Sequence, residues 1–525
     1  MKSIPVRALW VLLAVALPAS AAPPVDLEQK VEALRRQVGA PGIAIAIVES
    51  GSPVVTRGWG VRKLGEPARV DAQTIFQTGS TGKAMTAAAL AVLVDEGKIA
   101  WDDPVIKHMP WFRMYDPWVT REITVRDLLV HRSGLGLGQG DLMFVPRTNL
   151  SRKETVKRIA YLKPKTSFRS AYAYDNVLYA VAGQLIEEVT GQTWEEFMRD
   201  RVLRPGGMKT AMSDSEGRFR TANRAYPHAR LSGPLRGLGA QQTLNERDEL
   251  GRNGAPAGGL ALSAADMAAW LQIQLAKGGL PGDRRLFSEA QALEMWKPVV
   301  TMPITQLPPE LGPAQPSYQA YGLGWQVQDY RGHRIIAHSG GVFGSITRVV
   351  IIPDRNVAFA VMMNSEDSGL LLGLYYMLLD HYLGVPDYGW PAKWQSWFEA
   401  RLEGGRTLLQ QTQAAPAKVG PSLDPARYAG RYRDPWYGDV VVSATPAGLA
   451  IDFTSTPRMT GRLKHWQYDS FVTEFDDKAL EPAYVTFALD AQGAVTGVKM
   501  KAANPIADFS WDYHDLDLVP VEARQ

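Results

Sequence analysis

QTGSTGKAMTAAALAVLVDEG, Gln77 to Gly97, is the stretch on which the fold turns. From Ala84 to Val94 it holds a single polar side chain, Thr86, and it closes on the turn-like Asp95-Glu96-Gly97. That run is of helix length, and a helix apolar all round is a buried helix. Lys83 therefore stands at the mouth of a buried element, where an ammonium is costly unless partners surround it. Ser80, three residues earlier, shares the first-turn face with Lys83. Its hydroxyl has the positive end of the helix dipole nearby and an amine within reach. Serine is a poor nucleophile until its proton is removed, and a desolvated lysine of lowered pKa can remove it. The bland alternative is a capping serine beside a lysine that snorkels outward.

Working outward, Phe168 to Asn176 (FRSAYAYDN) leads straight into a helical pattern, Val177 to Glu188. This places Tyr174 and Asn176 on the loop before the helix. A phenol beside an ammonium is expected to have a lowered pKa and to shuttle protons. An asparagine can hold both the lysine and a substrate amide. A third group, His338-Ser339-Gly340-Gly341, follows the strand-like Arg334 to Ala337. There His338 offers a polar, potentially cationic, side chain on a sheet edge, and the glycines let a substrate approach backbone N–H groups. Taken singly, Tyr174 reads as a packing aromatic and His338 as a structural histidine.

Gly42 to Val48 (GIAIAIV) and Pro53 to Trp59 read as a hairpin turning through Glu49-Ser50-Gly51-Ser52. Three more strands follow far downstream, at Arg334–Ala337, Ile346–Ile352 and Val357–Met363, the last two joined by the turn Pro353-Asp354-Arg355-Asn356. The chain between is mostly helical, with Ala264 to Leu275 and its candidate N-cap Ser263 among its clearest elements. Strands at both ends of a helical block imply one antiparallel sheet completed by distant segments. Beyond residue 385 come a helix at Trp394–Gln411, a proline-rich linker (Ala414–Pro425), and short alternating runs from Tyr428 that read as an all-β barrel or sandwich.

The 525 residues allow two or three domains, and 46% hydrophobic with 21% charged residues describe an ordinary globular chain. A net charge of +3, with no basic block, gives no support to nucleic-acid binding. Met1 to Ala21 has Lys2 and Arg7, the apolar run Ala8–Leu17, and the small-residue close Ala19-Ser20-Ala21. That is the pattern of a secretory signal peptide, too short for a membrane span. With no cysteine there are no disulfides and no thiolate metal sites. An exported chain of this kind fits a bacterial periplasm or the medium. Gly369 to Leu379 is apolar but short, a core helix rather than a span. The expected layout is a signal peptide over 1–21, a catalytic domain over 22–385, a helix and linker over 386–425, and a β domain over 426–525.

Together and in this order, the three groups resemble the motifs of the serine β-lactamase and penicillin-binding-protein family. The likeness is to its class C, D-amino-acid peptidase and β-lactamase-like esterase branch. It runs from Val31 to Leu383 through PGIAIAIVESG at Pro41, the Ile75 stretch, ITVRDLLVHRSGL at Ile123 and YAYDNVLYAVAGQLIEEVTGQ at Tyr172. It continues through PAGGLALSAADMAAWL at Pro256, YGLGWQV at Tyr321 and IIAHSGGVFG at Ile335. The resemblance implies an α+β fold: a β-lactamase/transpeptidase-like antiparallel sheet flanked by helices beside a large helical block. The segment after Tyr428, with YAGRY, is similar to a small lipocalin-like barrel. The resemblance makes Ser80 the acylated nucleophile, Lys83 its proton acceptor and Tyr174 the relay to the leaving group and deacylating water. It makes Asn176 the holder of the acyl amide and His338, Ser339, Gly340 and Gly341 the third motif. The N–H groups of Ser80 and Gly341 would form the oxyanion hole.

One departure bears on substrate. The lactamases usually carry Lys-Thr-Gly where this chain has His-Ser-Gly, and histidine there is found in D-peptidases of the family. A titrating His338 would make binding of a substrate carboxylate pH-dependent. The first expectation is thus an exported peptidase or carboxypeptidase on D-amino-acid or cell-wall-type peptides. The second is an esterase or β-lactamase with the same machinery, the open loop Gly134–Thr148 being a candidate for shaping the choice. The third is a non-catalytic module that binds peptide or penicillin, or that assembles with partners. The partner is a small peptide, ester or β-lactam, with no cofactor and no metal. The alternating glycines Gly134–Gly140 lack dinucleotide-loop spacing. The barrel's role stays open among covering the site, binding a ligand and supporting an oligomer, and the oligomeric state is open as well.

Overall fold

The computed structural model describes residues 22–49, 54–247, 250–413 and 416–521. The expected leader, Met1–Ala21, and the hairpin turn residues 50–52 lie outside them. The first domain is built on an eight-stranded antiparallel sheet. Its strands are β1 (Gly42–Glu49), β2 (Val55–Gly60), β3 (Val300–Thr301), β4 (Gln319–Tyr321), β5 (Gln326–Tyr330), β6 (His333–Val342), β7 (Ser345–Ile352) and β8 (Val357–Met363). The order is β2-β1-β8-β7-β6-β5-β4-β3. The hairpin from the start of the chain is thus completed by strands three hundred residues on, with Ile43 opposite Met363 and Val48 opposite Ala358.

The alternation in GIAIAIV explains why β1 is buried on both faces. Ile43, Ile45 and Ile47 pack with helices on one side, α1 (Leu27–Val38) and α5 (Ser368–Leu383). Ala44 and Ala46 face the other way, and their small side chains let α4 (Ala264–Leu275) lie close against the sheet. Ser263 caps α4 in a reciprocal box with Asp266, as its position before the apolar run implies. The run after Lys83 is α2 (Lys83–Asp95), with every residue from Lys83 to Leu93 buried. It packs against α3 (Val177–Thr190) inside the helical block. No helix among the described residues is long and apolar enough to cross a membrane.

Helix α6 (Trp390–Gln413) leads to the second domain. Its strands are β9 (Gly430–Asp434), β10 (Gly438–Thr445), β11 (Gly448–Phe453), β12 (Thr460–Gln467), β13 (Ser470–Phe475), β14 (Ala483–Leu489), β15 (Val495–Ala502) and β16 (Val519–Pro520). They form a nearly closed antiparallel barrel in the order β15-β14-β13-β12-β11-β10-β9-β16, and Val498 bridges Leu518 beside the seam. Phe453, Phe471, Phe487, Val485, Met500 and Tyr432 fill its interior. The barrel is seated on the first domain. Asn149 N–H donates to the Ser455 carbonyl at 2.9 Å, Lys165 pairs with Asp515 at 2.6 Å, and Arg158 reaches the Tyr437 carbonyl. The apolar core runs across this boundary without a break.

Candidate active site

Ser80 lies in a single tight turn, Gly79–Gly82, that runs directly into α2. Lys83 is fully buried, and its Nζ has three near neighbours: Ser80 Oγ at 3.1 Å, Asn176 Oδ1 at 2.6 Å and the Ala257 carbonyl at 2.9 Å. The last two are acceptors only. As an ammonium Lys83 donates to all three; as a neutral amine it spends its two hydrogens on these two acceptors, which leaves its lone pair for the Ser80 hydroxyl. Burial pulls the Lys83 pKa down to about 7, while the charges of Asp141 and Asp175 pull it up. The Nζ also sits 4.8 Å from the Tyr174 ring centre and 4.9 Å from that of Tyr179.

Asn176 occupies the N-cap position of α3, yet its side chain does not cap the helix, which leaves the amide for the site. Its Oδ1 faces Lys83 and its Nδ2 donates to Asp141 Oδ2 at 2.8 Å. Tyr174 stands on the same loop. Its desolvated surroundings raise its pKa well above the ordinary phenol value, against the pull of its hydrogen bond with Ser80. This corrects the expectation of a lowered phenol: the nearby lysine does not offset the loss of hydration. Tyr174 is therefore held as the protonated phenol, not a phenolate.

The third motif is longer and more enclosed than its sequence implies. Strand β6 runs on to Val342, but its pairing with β5 stops at Ala337. From His338 onward one edge of the strand is free, and the Gly79–Gly82 turn lies along it. Gly340 makes that approach possible, since a Cβ there would sit 2.1 Å from the Thr78 carbonyl oxygen and 3.0 Å from Ser80 N. Gly79, at φ +53°, faces Gly341 N in the same way, at 2.6 Å from its would-be Cβ. Gly341 itself opens onto free space, so here a substrate can approach the backbone. Of the two glycines, Gly340 serves the close approach of the Gly79–Gly82 turn and Gly341 the cleft.

His338 is not a cation. It is 1% exposed, and burial together with the charge of Lys83 drives its pKa well below the ordinary imidazole value. One neutral tautomer satisfies both nitrogens: Nδ1–H donates to the Ser339 carbonyl at 2.6 Å, and Nε2 accepts from Tyr321 Oη at 2.6 Å. The expected titration of His338 is thereby corrected. Tyr321 and His131 complete a packed aromatic cluster with Tyr174, their rings 4.5 Å and 4.2 Å from His131. Both lie in stretches that matched the family pattern, but nothing local marked them as site residues.

The loop Gly134–Thr148 is also corrected, being largely covered rather than open. The barrel segment between β15 and β16 lies over it. Asp512 accepts from Gly140 N–H at 2.6 Å and from Leu142 N–H at 3.1 Å, and Ser510 Oγ–H donates to Asp141 Oδ2 at 2.7 Å. Phe509 stacks edge-on to Tyr174 at 5.8 Å. Ser80, Tyr174, Asn176 and His338 thus help line a cavity of about 720 Å³ whose wall Phe509 and Trp511 of the barrel also form. The barrel covers the site. Arg236, also on the lining, is held by Glu366, at 2.6 and 2.8 Å.

A family model described as beta-lactamase matches residues 27–381. The chain belongs to the beta-lactamase family. A second model, a domain of unknown function (DUF3471), matches residues 414–520, the barrel. An unguisins hydrolase of Aspergillus campestris is 28% identical over 77% of this chain and 74% of its own length. Penicillin-binding protein 4 of Amycolatopsis lactamdurans is 28% identical over 68% of this chain and 90% of its own. In fold, the chain is similar to the octameric penicillin-binding protein homologue from Pyrococcus abyssi. The TM-score is 0.55 at 21% identity, covering 91% of this chain and 98% of that one. The family assignment makes the chain a hydrolase of the serine type, in line with a serine and lysine placed as above.

Proposed function

We propose that the protein is an exported amidohydrolase that works through an acyl-enzyme on Ser80 and cleaves amide bonds of D-amino-acid-containing peptides or amides. The observation that carries this reading is Lys83, fully buried with its Nζ 3.1 Å from Ser80 Oγ and its pKa pulled down by burial to about 7. Lys83 takes the hydroxyl proton as Oγ bonds to the substrate carbonyl carbon. The oxygen turned anionic lies between the N–H groups of Ser80 and Gly341. Collapse breaks the carbon–nitrogen bond while the proton passes from Lys83 through the Tyr174 hydroxyl to the leaving amine. Water then attacks the acyl carbon, returns a proton by the same route and frees Ser80.

The neutral His338 narrows the substrate. A buried imidazole with both nitrogens engaged offers no charge to a carboxylate beside the scissile bond. This favours amides, internal peptide bonds or cyclic peptides over the carboxypeptidase reading. A D-amino-acid amide and the matching dipeptide with a free C-terminal carboxylate test the choice directly. The amide is expected to have the higher kcat/KM, and preference for the free carboxylate would overturn it. Short esters and a chromogenic β-lactam, assayed alongside, show whether the same machinery acts as an esterase or lactamase.

A further inference from the structure

We infer that Ser510 of the barrel is a positioning residue for catalysis, acting through Asp141 to fix the amide orientation of Asn176 and so the direction of the Lys83 lone pair. This inference rests on the proposed role of Lys83 as the base for Ser80. The amine must keep two acceptors, Asn176 Oδ1 and the Ala257 carbonyl, on the sides away from the serine. If the Asn176 amide flipped, its NH₂ would face Lys83, the lone pair would turn toward it, and Ser80 would lose its acceptor. An asparagine side chain alone has little preference between the two orientations. What decides it is Asp141 Oδ2, an acceptor that requires the Nδ2 side.

Asp141 is itself held from the other domain. Its Oδ2 accepts from Ser510 Oγ–H, while its Oδ1 is buried with no hydrogen-bond partner among the described residues. The loop that carries Asp141 is pinned on both sides of it, at Gly140 and Leu142, by Asp512. A continuous line of hydrogen bonds therefore runs Ser510–Asp141–Asn176–Lys83–Ser80, with its first member on the barrel. The groups facing this line are Asp508 and Asp512 on Asp141, and Asp175, His131, His338, Tyr174 and Tyr179 around Lys83. Burial raises the Asp141 pKa to about 7, and the donors Asn176 and Ser510 lower it.

The full-length Ser510→Ala protein tests this. Without the hydroxyl, Asp141 holds its proton more tightly and its charge no longer supports the Lys83 ammonium. The acid limb of the kcat/KM profile is then expected to move to lower pH. Misorientation of Asn176 is expected to lower kcat by roughly ten- to a hundredfold with little change in KM. Ser510→Thr, which keeps the hydroxyl, is expected to restore both. Mere loosening of the barrel would let water reach Lys83 and move the limb to higher pH, toward an ordinary lysine; that direction overturns the inference, as does an unchanged profile and kcat. If Ser510→Ala does not fold, Asp141→Asn carries the test, because it keeps an acceptor oxygen but deletes the charge. Its acid limb is expected below that of the wild type, and an unmoved limb overturns the inference. Ser80→Ala run in parallel separates the two ideas: turnover surviving in that variant would refute the acyl-enzyme itself.

Discussion

The turn Gly79–Lys83 and the strand segment His338–Gly341 face one another across a gap that only glycine at 340 permits. Each carries one buried basic side chain, yet the two behave oppositely. Lys83 is ringed by acceptors and has the carboxylates Asp141 and Asp175 near enough to oppose burial, so its pKa settles at about 7. His338 has a phenol and a carbonyl for partners, and the charges that face it, from Lys83, His131 and Arg348, all disfavour protonation. Burial alone does not make a titrating group. What matters is whether anionic groups face the buried base, and only the turn has them.

The largest way to break this contrast is at the turn. Ser80→Ala is expected to lower kcat/KM by at least roughly 10⁴-fold. Lys83→Arg should fall comparably, since a guanidinium cannot take up a proton at working pH. Steady-state kinetics on the amide substrate checks both. Next is the gap itself. In Gly340→Ala the new methyl meets the Thr78 carbonyl oxygen, forcing β6 off the turn and displacing Gly341 N. A loss of about a hundredfold in kcat, with cooperative thermal unfolding retained, is expected. The smallest effect concerns the strand's histidine. Tyr321→Phe removes the donor to His338 Nε2 and is expected to cost only a few-fold in activity. The pH profile sharpens the comparison further. As pH rises through about 7, Lys83 loses its proton and kcat/KM should rise to a plateau. Because a neutral His338 adds no limb, Tyr321→Phe should keep the same single limb.

The turn and α2 were legible because their signals are local: an apolar run, a serine and a lysine at helical spacing. The sheet was legible for a similar reason, since β-branched runs mark β1, β7 and β8. Strand β6 was read short, as His338-Ser339-Gly340-Gly341 has no strand propensity and is held extended by pairing with β7. Strand β12 carries little local signal, because TGRLKHWQ is mostly polar and becomes a strand by closing a barrel. Asp141 lies in a glycine-rich loop with no motif around it. Its partner Ser510 is 369 residues away, a separation no spacing rule bridges. The pKa directions of Tyr174 and His338 depended on how completely the fold dries the site, which spacing does not reveal.

The most direct test of the account is the intact mass of the purified protein at intervals after mixing with penicillin or an activated D-amino-acid ester, followed by peptide mapping. The account predicts an adduct on Ser80 in the wild type, none in Ser80→Ala, and one that forms far more slowly in Lys83→Ala. An adduct on another residue, or one forming equally fast without Lys83, would contradict it.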